Sequence, residues 1–211
     1  SLKGEGEPMI PYPGDKNWSG ISLPWMAFGY GVKLTPLQIL SFYNGIANGG
    51  EIVKPRFIYK IKNSGSSFIK KYEKEILNPS VCSYPTLVKV QKMMFNVIDK
   101  KWGTANKIKS SNLKMAGKTG TCQIDYTSDE IQYVSSFVGY FPYEKPEYSC
   151  IVVINRPDKK IGYYGGEVAA PVFKEIAEKL FSRTPRNVIV KPSDHNPYKN
   201  FKEIRRNNKS E

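Results

Sequence analysis

Apolar residues recur along this chain with two different periods, and the change from one to the other near residue 115 divides it. The clearest helical start is Thr35-Pro36-Leu37-Gln38. Thr35 can cap the first free amides, Pro36 suits the first helical position, and Gln38 completes a capping box. Leu37, Leu40, Tyr43, Asn44 and Ala47 then fall at helical spacing, and Ile39, Phe42 and Ile46 broaden the apolar side. The spacing predicts a helix buried on most sides, ended by the left-handed terminator chemistry of Asn48-Gly49-Gly50. The β-branched and aromatic run Ile52 to Ile61, the turn Lys62-Asn63-Ser64-Gly65-Ser66 and a second run from Phe68 to Tyr72 predict a peripheral hairpin. Ser83, Pro85 and the series Leu87, Val90, Met94, Val97 and Ile98 predict a second helix reaching about Lys100, broken by Gly103-Thr104-Ala105.

From Met115 the pattern becomes extended. Met115 to Tyr126, Val134 to Phe141 and Tyr148 to Asn155 are predicted strands, joined by polar loops short enough for antiparallel neighbours. Ala169 to Phe181 has Pro171 near its start and Val172, Phe173, Ile176, Ala177 and Leu180 at helical spacing, so a final helix should cover one sheet face. The Gly- and Pro-rich segment to about Trp25 reads as an ordered but irregular loop. Residues 182–211 are polar, Pro-containing and basic. The expected fold class is α/β in the α+β sense, an antiparallel sheet covered by helices, with residues 1–181 as the domain and 182–211 as a basic tail or linker.

Composition narrows the function. A chain of 211 residues with 40% hydrophobic content can bury a real core. It contains no apolar run long enough to span a bilayer and opens without the apolar stretch of a signal peptide. Three widely spaced cysteines, Cys82, Cys122 and Cys150, and the single His195 argue against a disulfide scaffold and a conventional zinc site, so no metal and no cofactor is expected. The net charge of +13 invites a nucleic-acid reading, but the lysines are scattered and the densest cluster, Lys199 to Lys209, lies in the tail. No nucleic-acid-binding signature accompanies them, so no nucleic-acid partner is expected; attraction to an anionic cell-wall polymer explains the charge as well.

The chemistry concentrates in Ala116-Gly117-Lys118-Thr119-Gly120-Thr121. On an edge strand this places a cation, two hydroxyls and a glycine side by side, a combination suited to holding a carboxylate. A peptide can add to such an edge through its backbone, Gly120 permits close approach, and Thr119 and Thr121 can donate to a carboxylate in a positive field. A backbone amide of the same strand can face a developing oxyanion.

The surrounding motifs carry a resemblance. Trp25-Met26-Ala27-Phe28-Gly29-Tyr30-Gly31, Leu34 to Gln38, Ala47-Asn48-Gly49-Gly50, Gly103-Thr104-Ala105, the Lys118-Thr119-Gly120-Thr121 strand, Ser136 to Pro142, and Tyr164-Gly165-Gly166 leading to Ala169-Ala170-Pro171-Val172-Phe173 resemble, in order, the C-terminal part of the transpeptidase domain of class B penicillin-binding proteins, most closely the cell-division branch. The resemblance covers most of residues 1–181. It implies a peptidoglycan D,D-transpeptidase that acylates a serine with a D-Ala-D-Ala stem peptide and is trapped by β-lactams. It further implies that Thr119 and Thr121 bind the terminal carboxylate, that the Thr121 amide serves the oxyanion hole, and that Lys118 tunes the catalytic hydrogen-bond network. A parent anchored in the cytoplasmic membrane, with this domain outside it and division proteins as partners, is implied too. Cys122 departs from the family, where a small residue such as alanine is usual, and reads as a core or strand residue.

That chemistry also needs a Ser-x-x-Lys and a Ser-x-Asn. Ser67-Phe68-Ile69-Lys70 and Ser111-Asn112-Leu113-Lys114 fit the first pattern and Ser110-Ser111-Asn112 the second, but about two chance matches are expected in so Ser- and Lys-rich a chain. Ser67 sits in a polar hairpin and Ser110 only a short loop before Lys118. In the family both motifs precede the Trp25 segment, so the nucleophile is expected before Ser1, the chain alone should be inactive, and self-association through uncovered apolar surface is plausible. The alternatives from other classes are a catalytically silent β-lactam sensor or cell-wall-binding module, and a basic nucleic-acid- or polymer-binding protein.

Overall fold

A computed structural model describes residues 4–65, 68–124 and 131–183. The chain divides into two compact units, Ser1–Phe181 and Ser182–Glu211, and of the second only the first two residues are described. The first unit is built around a three-stranded antiparallel sheet in the order β5-β6-β7, with β5 spanning Ala116–Ile124, β6 Gln132–Phe141 and β7 Tyr148–Asn155. Helices cover both faces, which bears out the expected mixture of helix and antiparallel sheet. The predicted extension of the first strand to Tyr126 lies outside the described residues, as do Ser67, His195 and the basic cluster of the tail.

Strand alternation on β6 creates two cores. Phe137 and Phe141 point to one side and pack with Val152 of β7 and with Ala169, Ala170, Phe173 and Ala177 of helix α4 (Gly165–Arg183). The Phe173 ring lies 4.8 Å from Phe137 and meets Phe141 edge-on at 5.7 Å. Each fully buried ring contributes about 1.5–3 kcal/mol. Tyr140 points to the other side, into a cluster with Ala116 of β5, Ile46 of helix α2 (Pro36–Ala47) and Leu87 and Met94 of helix α3 (Tyr84–Asp99).

The capping box at Thr35 is present in both directions: the Gln38 amide donates to Thr35 Oγ1 at 3.2 Å, and the Thr35 amide donates to Gln38 Oε1 at 2.9 Å. Gly49 and Gly50 take φ of 70° and 96°, the left-handed geometry expected after Asn48. Two expectations about this region need correcting. The segment before Trp25 is not wholly irregular, because a short helix α1 occupies Ser22–Ala27. Helix α2 is not buried on most sides: only Gly45 and Ile46 are buried, and Phe42 is 49% exposed. It rests one flank on the sheet and β1 and leaves the other open.

The run Ile52 to Ile61 is not one strand either. Pro55 cannot donate to a ladder and interrupts it. β1 (Ile52–Val53) pairs with β4 (Ile76–Asn78), and β2 (Lys60–Lys62) pairs with β3 (Phe68–Lys71), so two small two-stranded sheets replace a single hairpin. The described positions of β2 and β4 are exposed, in keeping with a peripheral place.

Helix α4 begins at Gly165 rather than Ala169, which leaves Pro171 inside it. Its first turn is secured by the Glu167 and Val168 amides, which both donate to the Tyr164 carbonyl. The small residues Gly165, Gly166, Ala169 and Ala170 are all buried, so this end of the helix lies unusually close to the sheet. Cys122 is on β5 as expected but exposed, so it is a strand residue and not a core one. Cys82 and Cys150 are half-buried, and burial pushes the Cys150 thiol up from its ordinary pKa. No described helix is long and apolar enough to cross a membrane.

Candidate active site on the β5 edge

Among the described residues, β5 pairs only with β6, in register from Ala116 opposite Tyr140 to Ile124 opposite Gln132, and its other edge carries no partner strand. Thr119 faces the α4 side together with Phe137, its partner on β6, and Thr121 does so together with Ser135. They line a cavity of about 380 Å³ with Thr104, Tyr164, Gly165 and Gly166, flanked by Lys101 and Lys107.

Both hydroxyls have protein partners. Thr121 Oγ1 accepts a 3.0 Å hydrogen bond from the Gly165 amide at the start of α4. Thr119 Oγ1 lies 3.0 Å from Thr104 Oγ1. Glycine at 165 and 166 makes this possible: a Cβ at 165 would stand 2.5 Å from the Gly120 carbonyl oxygen and closer still to that of Ser136, and a Cβ at 166 would run into the Thr104 carbonyl. The first turn of α4 therefore presses directly on the strand and on the Thr104 loop. Free amides at a helix start favour an anion. Glu167 in the same turn, 3.9 Å from Lys107, offsets part of that field.

Lys118 stands apart from this wall. Strand alternation turns it to the opposite face, it is exposed, and its ammonium donates to the Thr119 carbonyl at 2.6 Å. Gly120 has a structural reason besides access, because a Cβ there would meet Ser136 Oγ at 2.5 Å. The structure thus brings Thr119 and Thr121 together and leaves Lys118 off the cavity. Tyr163 stacks on Tyr133 at 4.3 Å and lies tilted against Tyr164 at 4.4 Å, and its hydroxyl donates to Tyr164 Oη at 3.1 Å. That hydrogen bond, foremost, holds the Tyr163 pKa above its ordinary value. The Ser135 hydroxyl donates to the Tyr163 carbonyl and ties this cluster to β6.

Sequence reasoning named Thr119, Gly120 and Thr121 but assigned no role to Thr104, Tyr133 or Tyr163. The signal for Thr104 was its place between the helix-breaking Gly103 and Ala105; nothing local marked the tyrosine stack. The remaining serine motifs are engaged elsewhere. Ser110 donates to Glu178 on α4 at 2.8 Å, and Lys114 pairs with Glu144 at 2.6 Å rather than with Ser111. Among the described residues no cluster of His, Cys, Asp and Glu is suited to a metal.

The chain is similar to proteins of one known family. A family model described as the penicillin binding protein transpeptidase domain matches residues 11–178. The peptidoglycan D,D-transpeptidase FtsI of Buchnera aphidicola is 32% identical over 167 residues, covering 78% of this chain. The chain spans 27% of the length of that relative. Penicillin-binding protein 3 of Mycobacterium tuberculosis matches with a TM-score of 0.70 at 28% identity, over 85% of this chain and 42% of that one. Penicillin-binding protein 2B of Streptococcus pneumoniae shares the fold, with a TM-score of 0.71 at 20% identity over 87% of this chain and 30% of that one.

Proposed function

Since the chain belongs to the penicillin-binding protein transpeptidase domain family, in its class B branch, we propose that it supplies the substrate-holding wall of a peptidoglycan D,D-transpeptidase. The observation that carries this reading is the pair of hydroxyls, Thr119 and Thr121, side by side on a cavity wall at a sheet edge that no described strand pairs, with lysines at its rim.

A D-Ala-D-Ala stem peptide lies along β5 with its terminal carboxylate against Thr119 and Thr121, which donate charge-assisted hydrogen bonds to it. A serine from the part of the enzyme outside residues 1–211 attacks the carbonyl of the penultimate residue. The Thr121 amide stabilises the oxyanion, a contribution for which one such donor is commonly worth about 3–4 kcal/mol. The C–N bond breaks, the serine proton ends on departing D-alanine, and an amine of a second stem peptide takes the acyl group and frees the serine. β-Lactams enter the same site through their carboxylate and acylate the same serine. Lys118 acts from the neighbouring face on the hydrogen-bond network rather than by touching the carboxylate. Residues 182–211 serve as a basic tail or linker, the parent is anchored in the cytoplasmic membrane with this domain outside, and division proteins are its partners. Isolated from the rest of its domain, the chain self-associates.

The test is labelling with a fluorescent penicillin, read on a denaturing gel, of the 211-residue chain beside the complete product of its gene. A labelled long product and an unlabelled 211-residue chain support the proposal. A labelled 211-residue chain refutes the placement of the nucleophile, with Ser67 the first residue to replace. Absence of label from both overturns the enzyme reading in favour of a silent cell-wall-binding module.

A further inference from the structure

Thr104 has no part in the reading above, yet its hydroxyl is one of only two groups that touch the carboxylate-facing hydroxyls among the described residues. We propose that Thr104 is a positioning residue for Thr119: it donates its proton to Thr119 Oγ1 and so leaves the Thr119 proton free for the substrate carboxylate. The inference rests on the proposed role of Thr119 and adds to it a direction.

A hydroxyl has one proton to give and two lone pairs to receive with. A carboxylate only accepts, so Thr119 must donate to it. Once that proton is committed, the 3.0 Å contact between Thr104 Oγ1 and Thr119 Oγ1 persists as a hydrogen bond only if Thr104 is the donor. Thr121 is treated the same way by a different group, since the Gly165 amide can only donate and fills an acceptor site on Thr121 Oγ1. Both hydroxyls are then oriented with protons outward before a ligand arrives, which removes part of the ordering cost of binding.

Thr104 is held for this purpose by its backbone. The Gly103 amide donates to the Lys100 carbonyl at 2.9 Å and the Ala105 amide to the Val97 carbonyl at 3.0 Å, fixing the loop to the end of α3. A Cβ at Gly103 would collide with the Val97 carbonyl, and one at Gly166 with that of Thr104. Two glycines and two amide bonds clamp one threonine from both sides. The loop, the strand and the start of α4 meet at these hydroxyls.

The experiment measures acylation rate constants of the complete gene product by competition against a fluorescent penicillin, using benzylpenicillin and its methyl ester, in wild type, Thr104→Val and Thr104→Ser. Thr104→Val keeps the shape and removes the hydroxyl; Thr104→Ser keeps the hydroxyl. The expected result is a fall of about 3- to 10-fold for Thr104→Val with benzylpenicillin, the equivalent of one net hydrogen bond, little change with the ester, and recovery in Thr104→Ser. An unchanged rate in Thr104→Val, an equal fall for both compounds, or failure of serine to restore the rate overturns the proposal. A wild type that neither compound acylates overturns the transpeptidase reading itself, a different result from any of these.

Discussion

Gly165→Ala should destabilise the protein, although alanine is the better helix former. Gly165 has no positive φ, so alanine fits its backbone, and propensity alone offers a gain of up to about 1 kcal/mol. The added Cβ would stand 2.5 Å from the Gly120 carbonyl oxygen and 3.1 Å from the Gly120 nitrogen, with the Ser136 carbonyl nearer still, whereas real contacts begin at 3.0 Å. These are backbone atoms of paired strands and cannot swing away as a side-chain tip would. The start of α4 must therefore lift by at least about 0.5 Å, and overpacking of this kind costs about 1–3 kcal/mol. The lift also stretches the 3.0 Å bond from the Gly165 amide to Thr121 Oγ1, worth about 1 kcal/mol. The net expectation is a loss of about 1–3 kcal/mol together with slower penicillin acylation. Urea unfolding of the complete gene product measures the first, with Gly20→Ala as a control, because a Cβ at Gly20 meets nothing within 4 Å and should change stability by less than about 0.5 kcal/mol. If Gly165→Ala unfolds at the same or a higher urea concentration than wild type, the close seating of α4 on the strand is wrong.

Thr35→Ala removes the acceptor of the Gln38 amide at the start of α2 and should cost about 1 kcal/mol, with faster hydrogen exchange at the Gln38 amide; unchanged protection there would contradict the cap. Glu144→Gln tests a pH dependence. The hydrogen bond from Lys114, foremost, holds the Glu144 pKa below the ordinary carboxylate value of about 4.3, so its stabilisation is present above that value and is lost as pH falls through the folded pKa. Wild type should exceed Glu144→Gln in stability at about pH 7, and the two should converge in acid; a gap that persists at about pH 2–3 would show that the ion pair is not its cause.

What could be read from sequence was local. The capping box at Thr35 involves residues three apart, and each strand of the sheet is its own extended run bounded by polar loops, so both were legible. Errors arose where a single residue had two meanings. Pro55 sits between Lys54 and Arg56 in a run otherwise rich in β-branched and aromatic residues, and its missing amide helps to divide that run into β1 and β2. Pro171 reads as a first-turn proline, yet α4 begins six residues earlier because Gly165 and Gly166 can seat against the strand. The openness of α2 is not written in its apolar periodicity, which reports which residues can be buried and not what is there to cover them.

The same distinction separates the parts of the site. Thr119 and Thr121 are two apart on a strand, so their shared face follows from alternation, and the residue types alone suggest a carboxylate. Their readiness to bind one does not follow. On the proposed reading it depends on Thr104, fifteen residues before Thr119, whose hydroxyl lies 3.0 Å from that of Thr119, and on Gly165, forty-four after Thr121, whose amide donates to Thr121 Oγ1. A strand carrying Lys-Thr-Gly-Thr without those neighbours would present the same groups with undirected protons. On that reading the glycines at 103, 165 and 166 serve recognition without touching the ligand, because they let the backbones approach closely enough for these contacts to form.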